Sequence, residues 1–419
     1  MQAARFNMKL RNIDKRLLTI LLIVFVQMIG AAMALPILLL YAQRQFEISP
    51  RYNTLLLSSF FAAQFLAGPV IGRLSDKYGR IPVLIISQIG TVISFIMIGA
   101  APNITILFIA RILDGITGGN IIVAQAYITD ITPPAKRTES LGYIFAAFGL
   151  GFVFGPALGG TLSAAFGPRI PFFMAAVAAA LTVILTWRTL TETLTPEQRA
   201  KNRQARRGGI TPREVLGNAP LLAILLIAFI GQFAMGMMQA TFALFGDAVL
   251  FADYSDRLVD LGIGVLLGTV GLTQFLTQTM LIRRILPRLG EANLVIIGSV
   301  LRGIGMLFLA LATAPWFGIP GAIFFPMGMG LMMPSLQGIS TRTVPDEVRG
   351  GVLGMYQSIV SLATIFSTAL AGLIFSLNPH YPYWLGMGLS LFALVPAYYF
   401  LKRPLRKSKS EDTAVTPEP

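Results

Sequence analysis

Apolar runs of about 20 residues recur along the whole of this 419-residue chain, and that is the length an α-helix needs to cross the hydrocarbon core of a bilayer. Only 12% of the residues are charged and 55% are hydrophobic, whereas a soluble protein of this length carries charge on about a quarter of its residues. The pattern predicts an all-α membrane protein with twelve spans, at 17–41, 54–72, 81–101, 104–127, 140–164, 168–188, 220–245, 261–282, 292–313, 316–340, 351–376 and 382–401. The first run continues from Leu17 to about Tyr41. A signal peptide has a core of roughly 7–15 apolar residues, so this run is expected to be retained as a span.

The formal net charge of +14 suits either a nucleic-acid binder or a membrane protein with its basic residues on one side. Their positions decide between the two. Of the 33 Lys and Arg, 27 fall in the termini and in every second loop, only Arg44, Arg51, Arg169 and Arg257 fall in the other loops, and Arg111 and Arg302 lie within spans. That asymmetry predicts both termini in the cytoplasm. The charges are spread over seven segments and make no interleaved patch, which excludes nucleic acid as the partner. The longest internal loop, 189–219, is polar and basic and divides six spans from six. The expected domains are therefore a cytoplasmic N-terminus at 1–16, a bundle at 17–188, a linker at 189–219, a second bundle at 220–401 and a charged tail at 402–419. With no cysteine, no redox compartment can be read.

Shifting the chain on itself by 211 or 212 residues superposes Gly79 on Gly290, Gln125 on Gln337, Arg137 on Arg349, Leu141 on Leu353, Gly142 on Gly354 and Gly160 on Gly372. This predicts two pseudo-symmetric six-helix bundles. Between spans two and three stands GRLSDKYGRIP, residues 72–82. It resembles the G-x-L-[SA]-D-[RK]-x-G-R-[RK] signature of the major facilitator superfamily at Gly72, Leu74, Asp76, Lys77, Gly79 and Arg80, with Ile81 in place of the last base. Gly72 is expected to let neighbouring helices approach, and Gly79 to supply a turn. The resemblance implies that Asp76 and Arg80 form a latch between the bundles on the inner side, joined by the acid at the inner end of span four, Asp130. The equivalent loop of the second half, RRILPRLGE (283–291), puts Pro287 and Glu291 where Asp76 and Arg80 stand.

Span four holds Arg111 and Asp114. Charges within a span are costly and usually functional, and an i, i+3 spacing lets these two pair on one face. At 1.5 Å per residue, Asp114 lies roughly 15 Å from the outer end. The run from Arg111 through Gly115 to Gly119 resembles the superfamily's span-four motif, whose arginine is implicated in proton transfer. The residues themselves fit either an acid that takes and releases a proton beside Arg111 or a permanent ion pair.

Span five reads GYIFAAFGLGFVFGPALGG at 142–160. Gly142, Gly151, Gly155, Pro156, Gly159 and Gly160 match the span-five signature of the drug:proton antiporters of that superfamily. Gly151, Gly155 and Gly159, four apart, make a smooth stripe for close helix packing, and Pro156 bends the helix. The expectation is that this stripe packs against the opposite bundle. Together with GITGGNIIVAQAYITDITPPAKR in and after span four and GLMMPSLQGIS at 330–340, the stripe gives nearly the whole chain a likeness to the tetracycline-efflux branch. Departures from that branch stand at Gln27, nine residues before Pro36, at Ser94 and at Arg302, where it has acids, and at Val270, where it has a histidine.

Candidate substrate contacts are Gln27, Gln125, Gln239 and Gln337, whose uncharged amides can hydrogen-bond varied molecules, and Arg302. The amides serve interhelical bonding equally well. Arg302 could meet an anionic substrate, pair with an acid or snorkel at a helix edge. No phosphate-binding loop, metal-ligand cluster or nucleophile–base set is present in the sequence, so neither ATP-driven pumping nor an enzyme is expected, and no cofactor or metal is implied. The expected function is export of a hydrophobic or amphipathic small molecule in exchange for protons, by a monomer in the cell membrane. The alternatives are a facilitator or importer of a metabolite or lipid-linked sugar, and a membrane scaffold or receptor.

Overall fold

The computed structural model describes residues 15–118, 120–133, 137–195, 218–342 and 349–402. Among the described residues the regular structure is entirely helical. In order come α1 Lys15–Phe46, α2 Pro50–Tyr78, α3 Arg80–Gly99, α4 Ile104–Thr117, α5 Asn120–Ile131, α6 Arg137–Phe166 and α7 Ile170–Thr189. After the linker follow α8 Ala219–Phe245, α9 Asp256–Leu276, α10 Ile282–Ala310, α11 Pro315–Arg342, α12 Arg349–Leu377 and α13 Tyr381–Phe392, which continues through Leu394–Pro396 and a wide turn at Ala397–Lys402. These elements cover all twelve expected spans. Ten stretches among the described residues are long and apolar enough to cross a membrane. One of the ten, Asp256–Ala310, has 55 residues, more than twice what a crossing needs, and it contains the turn at Gly290. The interrupted segment from Tyr381 onward is not among them.

The side-chain pattern shows which solvent these helices are built for. Along α3, Ile86, Ile89, Ile93 and Ile96 are exposed, while Ser87, Gln88, Thr91 and Ser94 are buried. A water-soluble helix does the reverse. In lipid the arrangement is favourable, because the apolar side chains meet apolar tails and the polar ones turn inward, Ser94 Oγ donating to the Gly90 carbonyl of its own helix at 2.8 Å. Two helices are capped by an asparagine side chain. Asn103 Oδ1 accepts from Ile106 N at 3.1 Å, and Asn218 Oδ1 accepts from Leu221 N at 3.1 Å, each satisfying a donor that the first turn leaves free.

Span four is not the single helix expected. It breaks after Thr117: Gly118 ends α4 with φ −67° and ψ 7°, α5 restarts at Asn120, and Gly119 lies outside the described residues. The Gly118–Gly119 pair carries the weakest non-proline helix propensity in two successive positions, and glycine pairs are a common cause of such breaks.

The internal repeat shows in backbone geometry. Gly79 has φ 110° and ψ 159°, and Gly290, its counterpart in the second half, has φ 76° and ψ 162°. Both angles lie in a region essentially confined to glycine. An added Cβ at Gly290 would meet no described atom within 4 Å, so Gly290→Ala isolates the backbone cost from packing. It should destabilise the protein by about 1–3 kcal/mol, read as a lowered unfolding midpoint in mixed micelles. An unchanged midpoint would refute the strained turn.

By contact the chain divides into two compact units. One comprises Met1–Ala42 and Ser59–Arg206, the other Gln43–Ser58 and Arg207–Pro419.

Candidate functional site

In the first unit, α4 places Arg111 and Asp114 one turn apart, and their side chains close the i, i+3 ion pair, with Arg111 Nη1 donating to Asp114 Oδ2 at 2.9 Å. Both residues are buried, at 5% and 6% exposure. The guanidinium carbon lies 4.2 Å from the centroid of the Phe60 ring on α2, a cation–π contact strengthened by the absence of water. Arg111 Nε is buried without a hydrogen-bond partner among the described residues. Gly115 allows this approach: a Cβ there would fall against the Phe60 carbonyl oxygen and 2.8 Å from Ala63 Cβ. Gln64 Nε2 donates to the Gly118 carbonyl at 3.2 Å, at the point where α4 ends. Span two thus braces the charged pair from one side and the break from below.

The turn between α2 and α3 gathers the residues named for the expected latch. Arg80 Nη1 donates to Asp76 Oδ1 at 2.7 Å and to Ser75 Oγ at 2.7 Å, while Arg80 Nε donates to Asp130 Oδ2 at 3.0 Å. Thr193 Oγ1 also donates to Asp130 Oδ2, at 3.0 Å. Sequence reasoning missed Glu192. Its Oε1 accepts from Arg80 N at 3.0 Å and its Oε2 from Ile81 N at 3.1 Å, so a carboxylate sits on the free amides of the α3 N-terminus, where the helix dipole favours negative charge. Ser75, Asp76, Arg80, Asp130, Glu192 and Thr193 all lie in the first unit. Gly72 does not serve close packing here: a Cβ would meet no described atom within 4 Å.

The glycine stripe of α6 packs closely against α1. A Cβ on Gly151 would lie 2.6 Å from Met28 Cβ, on Gly155 2.6 Å from Ala32 Cβ, and on Gly159 2.5 Å from the Met33 carbonyl oxygen. Three glycines four residues apart track the α1 backbone over two turns. Pro156 and Gly160 are buried beside them. Gly142 lies in α6, with surroundings outside the described residues.

The candidate substrate contacts fall in both units. Gln27 on α1 is buried and Gln125 on α5 half-buried; Gln239 on α8 and Gln337 on α11 are half-buried. Arg302 on α10 is 1% exposed, which rules out the snorkelling expectation. A further cluster went unread in the sequence because its members are far apart in the chain. In the second unit Arg44 Nη2 donates to Asp247 Oδ1 at 2.7 Å and Arg44 Nη1 to Asp260 Oδ1 at 3.0 Å, with Asp256 Oδ1 3.7 Å away.

A family model described as Major Facilitator Superfamily matches residues 20–288 and 240–418. The chain is 31% identical over 366 residues to a tetracycline resistance protein, class C, of Escherichia coli, covering 87% of this chain and 90% of that one. It is 26% identical to multidrug resistance protein 2 of Bacillus subtilis, over 91% of this chain and 96% of that one. Among solved structures it resembles a D-xylose–proton symporter with a TM-score of 0.75 at 17% identity, over 92% and 98% of the two chains. With the sequence match running nearly from end to end, and with the paired turns at Gly79 and Gly290 in place, this chain belongs to the Major Facilitator Superfamily.

Proposed function

We propose that the protein exports hydrophobic or amphipathic, drug-like molecules across the cell membrane in exchange for protons. The observation that carries this reading is the buried Arg111–Asp114 pair in an otherwise apolar span. An ion pair out of water gains little net stability over apolar packing, so its retention favours a role in moving charge. The relatives named for tetracycline and multidrug resistance support efflux as the direction. Alternating access is the mechanism: the bundles at 17–188 and 220–401 expose a central path to one side at a time, and protonation of Asp114 biases which side is open. Arg111 holds the carboxylate in place when it is charged and is released when it is neutralised. Asp76, Arg80 and Asp130 act as the inner latch, with both termini cytoplasmic, and Gln27, Gln125, Gln239 and Gln337 contact the substrate.

Gln27, Ser94, Val270 and Arg302 stand where tetracycline pumps are expected to carry acids and a histidine, so tetracycline–metal chelates are not the favoured cargo. The test is a panel of amphipathic dyes and drugs added to inverted vesicles holding a preset pH gradient. A transported compound should dissipate the gradient in proportion to its uptake. Uptake that leaves the gradient untouched for every compound would establish the facilitator instead.

A further inference from the structure

Arg302 is the largest fully buried side chain of those described. Its surroundings are unlike those of the other buried or clustered arginines. Arg111 is held by Asp114, Arg80 by Asp76 and Asp130, and Arg44 by Asp247 and Asp260. Among the described residues no carboxylate pairs with Arg302. Its Nη2 donates to the Gly231 carbonyl on α8, its Nη1 lies 3.5 Å from Met332 Sδ on α11, and its guanidinium carbon lies 5.2 Å from the Phe325 ring centroid. Its Nε has no partner among the described residues. A guanidinium presents five N–H donors. Here they find one carbonyl, one weakly accepting thioether and a ring face, and no countercharge.

The space around this group is shaped for it. A Cβ on Gly231 would come 2.8 Å from Arg302 Nη1, and a Cβ on Gly328 would come 2.7 Å from Arg302 Cγ. Two glycines on two neighbouring helices therefore clear the room the side chain occupies. Flexible side chains lie at the guanidinium end: Met332 Sδ is 3.5 Å from Nη1, and the same Cβ on Gly231 would strike Met332 Cε and lie 3.3 Å from Met333 Cε. Methionine is unbranched and readily changes rotamer, so these groups can yield to a ligand without moving backbone. A buried cation without a partner is strongly unfavourable, and an ionisable residue at membrane depth whose countercharge the protein does not supply is expected to take it from a ligand.

We propose that Arg302 is an anion-binding site, reached past Met332 and Met333, and that it selects substrates carrying a carboxylate, sulfonate or phosphate group. This deepens the export reading by naming the charge of the cargo, and it rests on that reading for the step from binding to transport. An inorganic anion shares the same chemistry, so the test must separate the two.

The probes are fluorescein and rhodamine 6G, which share a xanthene skeleton and differ in the sign of their charge, with chloride as the inorganic control against gluconate. Thermal unfolding of the purified full-length protein is followed by circular dichroism. Fluorescein should raise the melting temperature and rhodamine 6G should not. Arg302→Met should abolish the fluorescein response and itself melt above the wild type without ligand, because it removes an uncompensated buried charge. Arg302→Lys keeps the charge without the planar fork and should bind fluorescein roughly tenfold more weakly; it decides the matter if the methionine variant fails to fold. If Arg302→Met melts lower and still responds to fluorescein, the arginine is a structural staple and the proposal fails. If chloride alone reproduces the whole response and fluorescein adds nothing, the anion is inorganic and the substrate assignment fails. In vesicles, proton-linked uptake of fluorescein but not of rhodamine 6G by the wild type, with the fluorescein uptake lost in Arg302→Lys, supports the site. Absence of proton-linked uptake for both dyes counts against the export reading alone, since the melting response decides the binding site independently.

Discussion

Asp114→Asn should lower proton-driven uptake into inverted vesicles by roughly 100-fold or more, the range in which removal of a positioned proton-transfer group falls, while the protein still folds and still exchanges labelled for unlabelled substrate without a gradient. The reason lies in the charge balance of the pair. With Asp114 ionised, the Arg111 guanidinium 2.9 Å away is neutralised. A proton on Asp114 leaves Arg111 as an unpaired cation, 5% exposed and stacked on Phe60. In a low-dielectric setting an uncompensated charge is strongly unfavourable, and the bundle can lower its energy by moving to a state that hydrates Arg111. Each proton thereby changes the relative stability of the two access states, which is what coupling requires. Asparagine has nearly the same shape but cannot change charge, so the switch is lost and the carrier is not. A structural ion pair makes a different forecast. Replacing both partners, as Arg111→Gln with Asp114→Asn, would then restore proton-driven transport, since neutral isosteres often substitute for a buried pair at little cost. Full proton coupling in either the single or the double variant would remove Asp114 from the mechanism.

The parts of this molecule legible from the sequence are those written as local periodicity. Runs of apolar residues mark the helices because a bilayer of fixed thickness demands a fixed length. The superposition of Gly79 on Gly290 identified the two turns because only glycine tolerates their backbone angles, and the signature around Asp76 and Arg80 brought Asp130 with it. Partners far apart in the chain were not legible. The stripe at Gly151, Gly155 and Gly159 announces close approach but carries no mark of which helix approaches, and the partner is α1. Glu192 reads as one more acid in a polar segment until the chain returns to the start of α3. Arg44 and Asp260 are separated by 216 positions, and nothing local to either one announces the other. The break at Gly118 falls at two adjacent glycines, but within a span long and apolar enough to cross the membrane a glycine pair carries no mark that the helix ends there.

The largest structural effect is expected at the contact of α6 with α1. Gly155→Leu should abolish transport and membrane accumulation together, because even the first atom of a side chain would lie 2.6 Å from Ala32 Cβ, 2.9 Å from Met33 N and 3.0 Å from the Ala32 carbonyl carbon. Two of these three obstacles are backbone and cannot rotate away. Separating the helices to admit the side chain would disrupt the neighbouring contacts of Gly151 with Met28 and of Gly159 with Met33, since all three lie on one face of a rigid rod. Gly155→Ala is the graded form, and its overpacking should destabilise the protein by about 1–3 kcal/mol. Ala32→Gly removes the nearest obstacle and should recover part of that loss when combined with Gly155→Ala, giving a double-mutant coupling of roughly 1 kcal/mol. Recovery should be incomplete because Met33 N and the Ala32 carbonyl carbon remain in the way. Unfolding midpoints of the four proteins, with transport rates normalised to membrane abundance, measure this directly. Strictly additive effects of the two substitutions would show that Gly155 and Ala32 are not in contact.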